Sequence, residues 1–216
     1  LMREQRWELA AWEVFEEAKP WREADADVAE AVDFLEYYAG EMEQLDPPPR
    51  LGRYPGELNE LFWSPRGVTV VIAPWNFPLA IPAGMVAAAL VSGNPVLFKP
   101  SERASIMGYR LATILRQAGV PAGVLQYVPG GPDVGRELVT QASVATIAFT
   151  GSKDVGLGMV QAAAAHQLGQ RFVKRVIAEM GGKDAIIVDD TADLDEAVIG
   201  VVQSFTSYAG QKCSAC

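Results

Sequence analysis

Cysteine and histidine are scarce in this chain of 216 residues, which has two cysteines and one histidine. Cys213 and Cys216 form no disulfide framework, and a pair of free thiols is typical of a reducing, cytoplasmic setting. The single histidine, His166, stands among alanines, away from other side chains that bind metals. We therefore expect no metal site. A Ser-His-Asp hydrolase is disfavoured as well, because the sequence contains no G-x-S-x-G.

Long unbroken hydrophobic runs are also absent. Residues 67–98 carry no charge and are numerous enough to span a bilayer, but four prolines and two glycines divide them into short pieces. A buried strand, a helix and a second strand explain this stretch better than a membrane span. Residues 1–19 are charged and rich in tryptophan, unlike a signal peptide. We expect no membrane partner.

Basic residues are too few for a protein that binds nucleic acid through its phosphates. The chain has 18 Lys and Arg against 27 Asp and Glu, a net charge of −9. The acidic excess belongs to residues 1–50, which hold 14 acids and five bases, whereas residues 51–216 hold 13 of each. We expect the acidic faces of residues 1–50 to be solvated surface, and this region to do no more than pack as helices.

The pattern of apolar residues predicts an α/β fold. Two amphipathic helices are expected at residues 1–19 and 25–45, followed by a proline-rich linker at 46–49. The predicted strands that follow are 68–73, 96–99, 124–128, 144–149, 173–179 and 185–188. The helices predicted between them are 79–91, 102–118, 133–141, 153–168 and 194–208. Alternation of apolar strands with helices predicts a Rossmann-like parallel sheet with helices on both faces, preceded by an amino-terminal helical segment.

The junctions between strands and helices are where a ligand is expected, since ligands of parallel sheets bind beyond the carboxyl ends of the strands. Three junctions, at residues 73–78, 99–102 and 149–152, place small or polar groups at the start of a helix, where free N–H groups attract anions. The usual dinucleotide fingerprint G-x-G-x-x-G is missing. The residues by themselves therefore predict a nucleotide-type site but not a reaction.

Five motifs in order resemble those of the aldehyde dehydrogenase superfamily. They are Pro74-Trp75-Asn76-Phe77-Pro78, Lys99-Pro100-Ser101-Glu102, Phe149-Thr150-Gly151-Ser152, Glu179-Met180-Gly181-Gly182-Lys183 and Gly210-Gln211-Lys212-Cys213-Ser214. Within the superfamily, residues 54–60, 182–189 and 210–215 are most similar to members that oxidise L-glutamate γ-semialdehyde to glutamate in proline degradation. Two alternatives remain open: another acidic aldehyde, such as succinate semialdehyde, or a nucleotide-binding module without catalysis.

The resemblance also implies a division of the chain. Residues 1–50 form the acidic helical segment, 51–212 an NAD-binding Rossmann-like domain, and 213–216 the start of a truncated catalytic domain. On this interpretation the chain is an amino-terminal fragment that is inactive alone, and the full-length enzyme is a homo-oligomer.

Three catalytic roles follow from the resemblance. Cys213 is the expected nucleophile, because a thiolate attacks an aldehyde far better than a hydroxyl does. Glu179 is the expected general base, a role that suits a partly desolvated carboxylate, and Asn76 the oxyanion donor. Each also has an ordinary structural explanation: a small loop cysteine, a solvated carboxylate at a strand end, and an asparagine in a turn.

The cofactor implied is NAD. Lys99, Ser101 and Glu102 are expected to hold the adenosine ribose, with Glu102 repelling the 2′-phosphate of NADP, and Ser152 to hold the pyrophosphate. Their ordinary alternatives are an exposed charged helix start and a plain N-cap. The other residues expected at the cofactor are Ala73, Pro74, Trp75, Gly131, Gly135, Phe149, Gly151 and Gly181.

Three residues are expected to bind the aldehyde substrate. Lys212 and Ser214 flank Cys213 and could meet a substrate carboxylate by charge and by hydroxyl donation. Phe77 could pack on the aliphatic part of the substrate. A polar loop surface and a core aromatic are the alternatives.

Overall fold

The structure is a computed structural model that describes every residue from Leu1 to Cys216. Its centre is a parallel sheet of five strands: β1 (Val68–Ile72), β2 (Val96–Lys99), β3 (Leu125–Tyr127), β4 (Val144–Thr150) and β5 (Arg175–Glu179). The strand order is β3-β2-β1-β4-β5, and each neighbouring pair is parallel. The predicted fold class is confirmed.

Helices cover both faces of the sheet. Those after the linker are α3 (Ala80–Val91), α4 (Ser105–Gln117), α5 (Pro132–Thr140), α6 (Lys153–Ala164) and α7 (Leu194–Thr206), and the two before it are α1 (Arg6–Glu17) and α2 (Trp21–Leu45). Side chains alternate between the faces of a strand. In β1, Val71 packs with the helices α1–α4, whereas Val70 and Ile72 pack with α5 and α6.

The sixth predicted strand does not form. Residues 185–188 take up no strand conformation, and the side chain of Ile187 is 92% exposed. An extended apolar segment becomes a strand only when a neighbour accepts and donates its backbone hydrogen bonds, and no strand of this chain lies beside it. The prediction was therefore wrong because apolar composition alone supplies no pairing partner.

The prediction for the acidic face of the amino-terminal helices is wrong in part. Glu13 on α1 and Asp27 on α2 are fully buried where these two helices meet each other and the start of α3. Buried carboxylates need compensation. Asp27 obtains it from backbone N–H groups of α3, and both acids lie beside the buried ammonium of Lys19.

No helix of the structure is both long enough and apolar enough to cross a membrane.

Candidate active site

A cleft of about 880 Å³ opens at the carboxyl ends of β1, β2 and β4. The chain builds β1, β2 and β3 to one side, and then β4 and β5 to the other. The cleft therefore lies at the point where the strand order reverses, which is where open α/β sheets bind ligands.

All of the residues predicted to bind the cofactor line this cleft. They are Ala73, Pro74, Trp75, Lys99, Ser101, Glu102, Gly131, Gly135, Phe149, Gly151, Ser152 and Gly181. The residues come from the segments after all five strands, so their meeting is a property of the sheet and not of any one motif.

The end of β2 supplies a pair of opposite charges. Lys99 is buried, and the only hydrogen bond of its Nζ goes to the carbonyl of Pro100, at 3.3 Å. Burial lowers the pKa of Lys99, and the nearby Glu102 opposes this shift. A Cβ at Gly131 would lie 3.1 Å from Glu102 Oε2. Glycine at this position therefore leaves the Glu102 carboxylate free to face the cleft.

Two helices begin at the cleft without side-chain caps. Gly131 precedes α5 and Ser152 precedes α6, and neither helix receives a hydrogen bond from a capping side chain. A Cβ at Gly151 would lie 2.6 Å from the ring of Phe149, which turns back under the loop. Small residues therefore let the backbone before α6 approach whatever occupies the cleft.

Asn76 and Cys213 are brought together by a hydrogen bond between their loops. Asn76 Nδ2 donates to the carbonyl of Gln211 at 2.8 Å, and the second N–H of this amide has no partner in the chain. Cys213 is exposed and lines the cleft. Asn76 therefore retains one donor for a ligand beside the thiol.

The loop after β5 passes close to the loop that carries Cys213. A Cβ at Gly182 would lie 2.6 Å from the carbonyl oxygen of Cys213, so only glycine fits there. Glu179 begins this loop but is exposed and does not line the cleft. The expected partial desolvation of Glu179 is not found in this structure, where Glu179 is exposed at the end of the edge strand β5.

The three predicted substrate residues lie in different surroundings. Lys212 lines the cleft, but its Nζ pairs with Glu23 Oε2 of α2 at 2.5 Å. Phe77 is half-buried, with its ring centroid 4.2 Å from Lys19 Nζ. Ser214 is exposed and outside the cleft. The structure brings only Lys212 of this set to the cleft.

The apolar wall of the cleft was not predicted from the sequence. Val155, Met159 and Ala162 of α6 face it, as does Val139 of α5. The spacing 155-159-162 does indicate one helix face. The same spacing also describes a helix packed into a core, so the sequence offered no way to tell a ligand wall from a core.

The family model described as "Aldehyde dehydrogenase family" matches residues 1–216. The chain belongs to this family. A curated relative, the 1-pyrroline-5-carboxylate dehydrogenase of Geobacillus thermodenitrificans (strain NG80-2), is 52% identical over 217 residues, which are 100% of this chain and 42% of the relative. The chain thus spans less than half the length of such relatives.

Solved structures of similar sequence have the same fold as this chain. A 1-pyrroline-5-carboxylate dehydrogenase from Thermus with bound NAD superimposes with a TM-score of 0.96 at 48% identity, over 100% of this chain and 42% of that one. Proline utilization A from Bdellovibrio bacteriovorus gives a TM-score of 0.97 at 52% identity, over 100% of this chain and 22% of that one.

Proposed function

We propose that this chain forms the NAD-binding part of an aldehyde dehydrogenase that oxidises L-glutamate γ-semialdehyde to glutamate. One observation carries the proposal. Twelve residues from separate loops line one cleft, and Asn76 and the Cys213 thiol lie at the same cleft. The relatives named 1-pyrroline-5-carboxylate dehydrogenase support the choice of substrate.

The cleft fits a dinucleotide in its chemistry. Lys99 has unused N–H donors, and the Glu102 carboxylate lies free beside Gly131. These two side chains can hold the ribose hydroxyls of the adenosine. The uncapped start of α6 at Ser152 can hold the pyrophosphate through backbone N–H groups, and the apolar wall on α5 and α6 suits an adenine ring. Bound NAD supplies the acceptor for the hydride that leaves the substrate.

The chemistry at the substrate begins at Cys213. Its thiolate attacks the aldehyde carbon, and the carbonyl oxygen becomes an oxyanion. The free N–H of Asn76, together with the Cys213 backbone N–H, stabilises that charge. Loss of hydride from the resulting thiohemiacetal leaves a thioester on Cys213.

Release of the product requires a base. Glu179 takes a proton from water, which attacks the thioester and frees glutamate and the thiol. For this step the exposed Glu179 carboxylate must turn toward Cys213, and the packing of Gly182 on the Cys213 carbonyl already places the two loops side by side.

Two charged or polar side chains next to the thiol favour an acidic substrate. Lys212 and Ser214 flank Cys213, and Lys212 can exchange its pairing with Glu23 for a substrate carboxylate. Phe77 can pack on the aliphatic chain between the two ends of the substrate. Succinate semialdehyde is the alternative substrate, and comparison of kcat/KM for the two semialdehydes in the complete enzyme separates the two.

We propose further that this chain alone binds NAD without oxidising an aldehyde, since the Glu179 side chain is exposed and does not line the cleft. We place the enzyme in the cytoplasm, where Cys213 and Cys216 stay reduced. Homo-oligomers are proposed for the whole enzyme because large apolar side chains are exposed on the segment after the linker: Leu51, Tyr54, Leu58, Phe62 and Trp63.

Calorimetric titration of the purified chain with NAD tests the proposal. We expect binding with a stoichiometry near one, weakened about tenfold (~1.4 kcal/mol) by Lys99→Ala. Arg53→Ala, which removes an exposed cation outside the cleft, is the matched control and leaves the Kd unchanged. A folded chain that binds no NAD, or an equal loss in both variants, contradicts the assignment of the cleft.

A further inference from the structure

Three ionisable side chains are buried together where α1 and α2 meet the first turn of α3. Lys19 follows α1, and its Nζ lies 3.4 Å from Glu13 Oε2 and 3.4 Å from Asp27 Oδ2, with all three side chains fully buried. Neither Glu13 nor Lys19 makes a side-chain hydrogen bond of ordinary geometry. A buried ion pair of this kind is a weak source of stability, because desolvation offsets the attraction between the charges. Stability alone therefore does not explain why Glu13, Lys19 and Asp27 are buried together.

The carboxylate side of this cluster holds the loop that carries Asn76. Asp27 accepts hydrogen bonds from the backbone N–H groups of Leu79 and Ala80, at 3.2 and 3.3 Å. These are the first free N–H groups of α3, which has no capping side chain of its own. Asp27 thus caps α3 from another helix and fixes the point at which the loop ends.

The ammonium side of the cluster faces two aromatic rings, one from each catalytic loop. Lys19 Nζ lies 4.2 Å from the ring centroid of Phe77, the neighbour of Asn76, and 5.6 Å from that of Tyr208. Both distances are within the range of a cation–π attraction. The buried Lys19 ammonium therefore lies close to an aromatic ring of both the Asn76 loop and the Cys213 loop.

Tyr208 begins the turn that leads to Cys213. Tyr208, Ala209 and Gly210 have φ angles of 50°, 54° and 71°, in the left-handed region that residues with a Cβ rarely adopt. Non-glycine residues in this region are strained and persist only where surrounding contacts require them. The Tyr208 hydroxyl donates to the Glu17 carbonyl at 3.0 Å, so the end of α1 supplies one such contact.

We propose that Lys19 is a positioning residue, whose ammonium holds the Phe77 and Tyr208 rings and thereby sets the relative position of the Asn76 and Cys213 loops. The catalytic meaning of this positioning rests on the proposed function. The positioning itself does not, since it can be measured without NAD or substrate.

Hydrogen exchange of the purified chain, read by mass spectrometry on peptides covering residues 76–80 and 207–213, tests the proposal. Lys19→Met removes the ammonium and keeps the length of the side chain. We expect exchange in both segments to be about tenfold faster, as local opening becomes easier, while the amides of β4 are unchanged. Lys19→Arg retains the charge and is expected to exchange like the wild type.

Lys174→Met is the matched control. Lys174 is another buried lysine, and its Nζ donates to the Val139 carbonyl. It directly precedes β5, whereas Phe77 follows the carboxyl end of β1, so the two lie at opposite ends of the parallel sheet. This variant is expected to lower thermal stability without faster exchange in the two loop segments. If Lys19 had a role in packing alone, Lys19→Met and Lys174→Met would show the same exchange in the two loop segments.

Three results overturn the proposal. The first is exchange at the wild-type rate in folded Lys19→Met. The others are exchange in the two loop segments as fast as that of Lys19→Met in either Lys19→Arg or Lys174→Met. If Lys19→Met does not fold, Phe77→Leu removes the ring and keeps the ion pairs. Faster exchange at 207–213 in that variant supports the proposal, and unchanged exchange there contradicts it. The exchange measurements contain neither NAD nor substrate. A failed NAD titration therefore does not alter their interpretation.

Discussion

Glu102 is a single side chain whose charge bears on the choice of cofactor. Its carboxylate lies beside Gly131 at the mouth of the cleft, where it can accept from ribose hydroxyls but repels an added phosphate. We predict that Glu102→Gln tightens NADP binding about tenfold, because a repulsion worth roughly 1.4 kcal/mol is removed. NAD binding is expected to weaken slightly.

Calorimetric titration with both dinucleotides measures this change. Glu137→Gln, a charge-matched change on the exposed side of α5, serves as the control and leaves the ratio of the two affinities unchanged. NADP affinity that does not rise in Glu102→Gln speaks against contact between this carboxylate and the ribose.

Cys213 and Cys216 are both exposed thiols, and only the first lines the cleft. In the complete enzyme we predict that Cys213→Ala abolishes aldehyde oxidation, by a factor of at least about a thousand, since no covalent intermediate can form. NAD binding persists. Steady-state assays with Cys216→Ala as the matched control, expected to keep its activity, check this prediction, and turnover retained in Cys213→Ala refutes it.

The residue scale also shows where motif and geometry differ. Asn76, Lys99 and Ser152 could be placed at the cleft from short motifs, because each motif resembles one of the aldehyde dehydrogenase superfamily. The exposure of Glu179 could not be assigned in this way, because it depends on what covers an edge strand. The sequence also contained no signal for which apolar residues of α6 face the cleft.

Among the elements, α3 depends on α2 for its start. Asp27 caps α3 and pairs with Lys19, so Asp27→Ala removes a cap and leaves a buried ammonium with less compensation. We predict a loss of about 3 kcal/mol in the free energy of unfolding. Asp33→Ala on the exposed side of the same helix is expected to cost less than about 0.5 kcal/mol.

Urea denaturation of the two variants measures the difference. Equal stabilities contradict the capping of α3 by Asp27. The sequence predicted a helix at α2 from its apolar spacing, but nothing in that spacing distinguished Asp27 from its solvated neighbours, because its partner N–H groups are 52 and 53 positions away.

Five of the six predicted strands form. Their apolar runs are nearly continuous since both faces are covered, and this signal is local to each run. Residues 185–188 have the same composition and form no strand, which shows that the final requirement, a neighbouring strand, is not local.

At the scale of the whole molecule, the buried acids make stability depend on pH. Burial raises the pKa of Glu13 to about 10 from its ordinary value of about 4.5. Between these values the folded state keeps a proton that the unfolded state has lost, so the contribution of Glu13 to stability is fully present below about pH 4.5 and is lost as the pH rises toward 10. Other titratable groups near Glu13 are Asp27 and Lys19, together with Tyr208.

We predict that Glu13→Gln flattens this decline, because a neutral amide replaces the group that must hold the proton. The slope for one such group is at most about 1.4 kcal/mol per pH unit. Urea denaturation at several pH values between 5 and 9 gives the slopes, with the exposed Glu43→Gln as the control. Identical slopes in wild type and Glu13→Gln contradict a protonated Glu13 in the folded chain.

The sequence by itself determined the class of fold, the family and most of the residues at the cleft, because apolar periodicity and short motifs act over a few neighbouring positions. The tertiary structure decided which helix faces line the cleft, that Glu13, Lys19 and Asp27 form one buried cluster, and that residues 185–188 remain unpaired. These depend on contacts between positions far apart in the chain, where burial and pairing, rather than local preference, set the free energy of each side chain.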